Sequence, residues 1–367
     1  MKYFIIAGEA SGDLHGAGLI NQLNQLDPSA VFLGMGGDKM HNAGCRLVRH
    51  YRNMAFMGII AVLKNLNKVN ENFRIAENAL LHCQPDALIL IDYPSFNLKV
   101  AEFCKKYLPS TKIFYYIPPK IWAWKRWRVH KIARLSDRIL GIFPFEPAFY
   151  ARYGYKALYV GNPTMDSVSG FLRLSHELNT ERKHIIAILP GSRRHEIEKC
   201  LPAMLLAARN IQDYKIVVAG APGVEPAFYD KYLQGETLVF DKTYSILSEA
   251  EVAVVNSGTA TLETALLRCP QVAVYHINCG KFLWSIRRWV FQIPYFTLVN
   301  ILADKEVIKE CIGPLFTAQN IETEVRKLLT DSGYRNKMLQ EYDRIASELG
   351  TTPAAVNAAK QIIDVCQ

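Results

Sequence analysis

Short runs of apolar, often β-branched residues recur along this chain at 3–7, 31–33, 87–91, 113–117, 139–143, 185–189, 215–219, 252–255 and 272–275. Each is too short for a core helix and lacks strict alternation, so each predicts a strand buried on both faces. Between most of them apolar residues return at helical spacing. Strand and helix signals that alternate from end to end predict an α/β fold with parallel sheets covered on both sides. The pattern is weakest over 161–183, after the punctuation Val160-Gly161-Asn162-Pro163. The domain hinge is placed there, giving domains 1–163 and 164–351. The second half restarts as the first begins, with a strand that runs into a glycine turn. Two nucleotide-binding-type halves facing a central cleft are the expected architecture. A last amphipathic helix, 352–367, has Pro353 near its start. It is expected to complete the first domain or to meet a partner.

Composition narrows the classes. The 367 residues exceed one ordinary core, which agrees with two domains. Lys and Arg outnumber Asp and Glu by 43 to 34, a net charge of +9. Such a surface suits nucleic acid, an anionic membrane or phosphorylated substrates. The eight cysteines are scattered without a CxxC pair, which predicts small buried thiols in a reducing cytosol rather than a disulfide frame or zinc site. The first apolar run is too short for a signal peptide, and no segment reaches the ~20 apolar residues needed to span a bilayer. Any membrane contact is expected to be peripheral.

The most informative stretch is 251–265, EVAVVNSGTATLETA. A buried strand passes through Ser257, Gly258 and Thr259 into a helix. Backbone N–H groups and the helix dipole favour an anion there, typically a diphosphate. Glu263 lies one helical turn deeper on the face of Thr259, placed to accept hydrogen bonds from two sugar hydroxyls. A ribose-bearing nucleotide diphosphate is the substrate class this predicts. A second strand tip, Gly191-Ser192-Arg193, would expose N–H groups and a forked cation to the same diphosphate, although a surface turn with solvated arginines reads similarly.

The first half carries Gly8-Glu9-Ala10-Ser11-Gly12-Asp13 directly after its first strand and a second glycine loop, Gly34-Met35-Gly36-Gly37, after the next. Ligands of open α/β sheets gather at that edge. The spacing is not GxGxxG, and a turn capped by Ser11 or Asp13 is equally compatible. Asp92 ends the strand 87–91, where partial desolvation would make a useful base or where it would merely cap the helix after Pro94. Residues 120–128 interleave Trp122, Trp124 and Trp127 with four cations, which suits a nucleic-acid platform, a lipid anchor or half-buried core tryptophans. Two basic amphipathic stretches, 55–71 and 281–292, either cover a sheet or rest on anionic lipid. The lipid-facing residues would be Met57, Ile59, Val62, Leu63 and Leu66 in one, and Trp284, Arg287 and Arg288 in the other. There is no DxD pair, GxxxxGK[ST], GxSxG or HExxH. No metal site and no cofactor are expected.

GEASGD, GMGG, MGIIAVL, DYPSFNL, IWAWKRWR, FPFEPAFY, VGNP, LPGSRRHEI, NSGTATLE and the segment around Asn300 occur in this order. Across nearly the whole chain this set resembles the lipid-A-disaccharide synthase family. The resemblance implies a GT-B fold of two Rossmann-like domains and an inverting transferase. Such an enzyme joins UDP-2,3-diacylglucosamine to 2,3-diacylglucosamine 1-phosphate (lipid X), giving a β-1,6-linked disaccharide 1-phosphate and UDP. It also implies a peripheral enzyme on the cytoplasmic face of the inner membrane, expected as a homodimer, with no nucleic-acid partner. By motif, Asp92 corresponds to the proposed base. Ser11, Gly12 and Asp13 belong to the glycine-rich loop at the cleft; Arg193 corresponds to the Gly-Ser-Arg arginine, Ser257, Gly258, Thr259 and Glu263 to the UDP site, and Asn300, also expected to bind substrate, to the asparagine of a Pro-Asn-Leu-Leu-type segment. The chain departs from the family pattern at Ser95, where a second aspartate is common, at Val299, and at Ile117-Pro118-Pro119-Lys120, where Ser-Pro-Ser is commoner. Another UDP-sugar enzyme of the same fold, such as a muramyl-type transferase or a 2-epimerase, would share the second-half site. A basic nucleic-acid binder would share only the tryptophan stretch.

Overall fold

All nine apolar runs are strands, and each occupies the interior of a sheet. The computed structural model describes residues 1–54, 66–123, 125–174, 182–277 and 294–367. In chain order the strands of the first sheet are β1 (Lys2–Ala7), β2 (Val31–Gly36), β3 (Arg46–His50), β4 (Ala87–Ile91), β5 (Lys112–Tyr116), β6 (Arg138–Gly141) and β7 (Leu158–Tyr159). Those of the second are β8 (Lys183–Leu189), β9 (Lys215–Gly220), β10 (Thr237–Phe240), β11 (Ala250–Asn256), β12 (Gln271–Tyr275) and β13 (Lys309–Ile312). The sheet orders are β3-β2-β1-β4-β5-β6-β7 and β10-β9-β8-β11-β12-β13, and every pairing is parallel. Both follow the doubly wound pattern, in which the order reverses beside the first strand.

The four strands that hydropathy missed, β3, β7, β10 and β13, are the four sheet edges. Each has at least two half-exposed residues, so none carries the continuous apolar run of a central strand. Six of the seven cysteines described are buried, and all seven are unpaired.

The chain divides into two compact units, Met1–Pro163 with Thr351–Gln367, and Thr164–Gly350. Helix Pro163–Leu174 begins at this boundary. The last helix, Ala354–Cys366, buries Ala358, Ala359 and Ile362 in the first unit's core with Tyr3, Ile5, Leu19 and Ile20. Asn357 ties that helix to the sheet by donating to the Val160 carbonyl at 3.1 Å. Among the described residues no helix is long and apolar enough to cross a membrane.

In the second unit Arg182, just before β8, spreads its guanidinium over four carbonyls. It donates to Leu247 at 2.6 Å, Ala250 at 2.9 Å, and Leu267 and Arg268 at 3.0 Å each. Two of these belong to the ends of helices Thr243–Glu249 and Thr259–Leu266, where a cation also complements the dipole. Arg182→Ala should therefore lower the unfolding free energy of the second unit by about 2–3 kcal/mol in urea titration, with Arg182→Lys recovering only part, because one ammonium cannot replace the fork. An unchanged midpoint would remove this anchor from the account.

Candidate functional site

The first unit's candidate residues gather at the C-terminal ends of β1 and β4. These strands pair in register through Ala7 and Ile91, at the point where the strand order reverses. Asp92 and Tyr93 both take left-handed backbone conformations, with φ of 43° and 47°. For non-glycine residues this costs roughly 1–2 kcal/mol each, so the surroundings must hold it. They do so at several atoms. The Asp92 N–H donates to the Ile117 carbonyl at 3.1 Å. Its carbonyl accepts from Asn97 Nδ2 at 2.7 Å and from the Tyr115 hydroxyl at 2.8 Å. The Tyr93 hydroxyl donates to Met54 at 2.9 Å. Gly8 makes room for this turn, since a Cβ there would stand 2.3 Å from the Tyr93 ring. The strain is thus built around one carboxylate. Burial pushes the Asp92 carboxyl up to about 6, Glu9 adds to the rise, and Lys120 opposes it.

Glu9 precedes helix Ala10–Leu26 and accepts from the Ser11 hydroxyl at 2.7 Å. Gly12 packs its backbone on Ala7. Asp13 has a different position from the one expected. It is buried and accepts from the N–H groups of Gly37 at 2.7 Å, Lys39 at 3.1 Å and Met40 at 3.0 Å. Its carboxylate therefore caps the short helix after the GMGG loop.

In the second unit the tips of β8 and β11 again meet at the reversal of strand order. Gly191 has φ of +121°, and a Cβ on it would lie 2.8 Å from both Asn256 Nδ2 and the Glu196 side chain. The expectation that glycine and serine expose N–H groups here, with Arg193 as a forked cation, is corrected at Ser192, and the Arg193 N–H and guanidinium are engaged as well. The N–H groups of Ser192 and Arg193 donate to Glu196 Oε2, at 3.0 and 3.3 Å, and the Arg193 guanidinium pairs with Glu196 Oε1 at 3.0 Å. A carboxylate of the chain thus occupies the donors an anion would take. Across the crevice, the Ser257 N–H continues the sheet to Val274 at 2.7 Å, so it too is spent. The next residues, Gly258 and Thr259, are exposed at the start of helix Thr259–Leu266, and the N-cap residue Gly258 brings no side chain of its own to that start. Glu263 accepts from Tyr244 at 3.1 Å, and burial raises its carboxyl above the usual range.

Asn300 is fully buried with both ends of its amide engaged. Nδ2 donates to Ile308 at 2.9 Å and Glu310 at 3.0 Å, while Oδ1 accepts from Val307 at 2.8 Å and Ile308 at 3.0 Å. Its position supports a segment rather than a direct ligand contact. Of the tryptophans, Trp122 is core and donates to Glu146 at 3.2 Å, whereas Trp127 is 65% exposed. Trp124 lies outside the described residues. So do the expected lipid contacts Met57, Ile59, Val62, Leu63, Trp284, Arg287 and Arg288, and the side chain of Leu66.

Two residues escaped the sequence reading. Glu196 was quoted in its motif but given no role, and Glu146 was passed over. The latter is a buried carboxylate that accepts from Ile142 and Phe143 N–H groups at 2.8 and 3.0 Å as well as from Trp122. Burial pushes its carboxyl up to about 7. Its signal is the one that marked Asp92: an acid shortly after a buried strand and before a proline.

A family model described as lipid-A-disaccharide synthetase matches residues 3–363. The lipid-A-disaccharide synthase of Trichlorobacter lovleyi is 34% identical over 95% of this chain and 93% of its own length. That of Myxococcus xanthus is 34% identical over 99% and 97%. Among solved structures, the UDP-GlcNAc 2-epimerase of Neisseria meningitidis, bound to UDP-GlcNAc, covers 100% of this chain and 99% of its own, with a TM-score of 0.66 at 12% identity. The kitacinnamycin glycotransferase gives 0.64 at 11% over 100% and 99%. At such identities the structural likeness shows the fold, which is GT-B.

The internal bonds of Asn300 generate a prediction. Asn300→Ala should lower unfolding free energy by about 2–3 kcal/mol in denaturant titration, since it orphans two buried N–H groups. A variant with wild-type stability and a selective loss of ligand affinity would instead make the amide a ligand contact.

Proposed function

The chain belongs to the lipid-A-disaccharide synthase family, and from that premise we propose that it joins UDP-2,3-diacylglucosamine to 2,3-diacylglucosamine 1-phosphate with release of UDP. The acceptor's 6-hydroxyl gives its proton to Asp92 and attacks the anomeric carbon of the donor. The bond from that carbon to the UDP oxygen breaks on the opposite side, so an α-linked donor yields a β-linked product. The observation that carries this reading is the strained, braced Asp92 at the β4 tip. A carboxyl pushed up to about 6 is ionised near neutral pH yet basic enough to accept a proton.

The leaving diphosphate is assigned to Arg193 and the helix start at Gly258 and Thr259, where a fixed dipole and a cation meet the departing charge. Arg193 would exchange Glu196 for phosphate in doing so. Glu263 is assigned to the ribose hydroxyls. Gly8, Glu9, Ser11 and Gly12, in and after the turn that follows β1, are assigned to substrate beside Asp92, and the unit that carries them is read as the acceptor domain. Peripheral binding at the cytoplasmic face of the inner membrane, through the two basic amphipathic stretches, and assembly as a homodimer complete the proposal. The 2-epimerase reading shares the fold at 12% identity, whereas the transferase reading rests on relatives about three times as similar over the whole chain.

Purified protein given both diacyl substrates in detergent should release UDP and form a disaccharide in equal amounts; neither product would end the proposal. Asp92→Asn should cut kcat by at least about 100-fold with its melting curve retained. The base must be ionised, so wild-type kcat/KM should fall as pH drops through about 6. A profile flat from pH 5 to 8 would contradict the assignment.

A further inference from the structure

The carboxyl assigned to the ribose is held at one oxygen. Glu263 Oε1 accepts from the Tyr244 hydroxyl at 3.1 Å, and among the described residues Oε2 accepts from no donor. Tyr244 reaches it from another strand tip. β10 ends at Phe240, Asp241 turns the chain with φ of 54°, and helix Thr243–Glu249 begins two residues later. Tyr244 lies in the first turn of that helix, and Glu263 lies in the second turn of helix Thr259–Leu266. The two helices touch, and the Arg182 guanidinium ties their far ends together through Leu247 and Leu267. The phenol and the carboxyl therefore meet across a fixed pair of helices.

The tyrosine ring is itself held. It meets Phe171 edge-on, with centroids 5.6 Å apart and planes at 77°. Ser167, on the same helix as Phe171, is a second hydrogen-bond partner of the hydroxyl. Burial, and after it Glu263, raises the phenol above its ordinary value, so the hydroxyl keeps its proton and its donor role. A glutamate carboxyl otherwise turns through a broad range about its last bond. A donor fixed on one oxygen stops that turn and sets the direction of the other.

We propose that Tyr244 is a positioning residue for the nucleotide: its phenol anchors one oxygen of Glu263 and presents the other to the ribose hydroxyls. The inference deepens the reading of Glu263 as ribose acceptor and rests on it. A partly buried carboxyl oxygen without a donor is an unmet acceptor, and a pair of sugar hydroxyls supplies what it lacks. Because Tyr244 acts through Glu263, its effect is confined to ligands that carry those hydroxyls.

The test compares dissociation constants for UDP and 2′,3′-dideoxy-UDP, by calorimetry, in wild type, Tyr244→Phe and Glu263→Ala. Wild type should hold UDP about 30-fold more tightly than the dideoxy ligand, as two ordinary hydrogen bonds would give. In Tyr244→Phe the ring and its packing on Phe171 remain and the anchor is lost, so this ratio should shrink about fivefold. Glu263→Ala should bring it close to one. A Tyr244→Phe ratio equal to wild type, with both ligands unaffected or weakened alike, would overturn the role of Tyr244 and leave Glu263 as the ribose acceptor. A wild-type ratio near one, or a Glu263→Ala ratio equal to wild type, would remove the ribose reading and the proposal with it.

Discussion

The structure depends on one topological constraint, the reversal of strand order beside β1 and again beside β8. In a parallel sheet each right-handed crossover carries its helix to one face, and where the order reverses, successive crossovers diverge to opposite faces. The loops that leave the two central strands therefore part, and a crevice opens at their C-terminal ends. Glu9 and Asp92 leave one such point; Gly191–Arg193 and Ser257–Thr259 leave the other. The chemistry is on loops, but the loops are aimed by strands buried on both faces.

What the loops do locally is governed by hydrogen-bond satisfaction. Asp13, Glu196, Asn300 and Glu146 are polar groups placed among backbone donors, and each accepts from two or more of them. They fix the shapes of the loops that hold the candidate catalytic groups. Asp92 differs because hydrogen bonds brace its backbone while its carboxyl is tuned by burial, by Glu9 and Lys120, and by the Tyr93 N–H. A scaffold of satisfied polar groups around one strained, electrostatically adjusted acid is a division of labour expected where the base must sit in one geometry.

Much of this was legible in the sequence. Central strands declare themselves because both faces are buried, so 87–91 and 252–255 could not be mistaken. Edge strands such as Arg46–His50 mix charged and apolar residues and pair on one side only, which erases the run. The site loops were found from their place after strands and from glycine. The roles within them were harder, because one motif contains both ligand-facing and structural polar residues. Asp13 and Asp92 are both acids near strand tips. Only the fold tells that the first is surrounded by N–H groups of a neighbouring loop and the second is turned out of the ladder by two left-handed residues. Glu196 in Arg193-Arg194-His195-Glu196 could have been anticipated, since an acid three residues into a helix commonly returns to cap its start.

The most direct measurement is a crystal structure of the protein soaked with UDP. The account predicts the diphosphate against Gly258 and Thr259 with Arg193 released from Glu196, and the ribose hydroxyls on Glu263. UDP bound away from the β8 and β11 tips, with the Arg193–Glu196 pair intact, would contradict it.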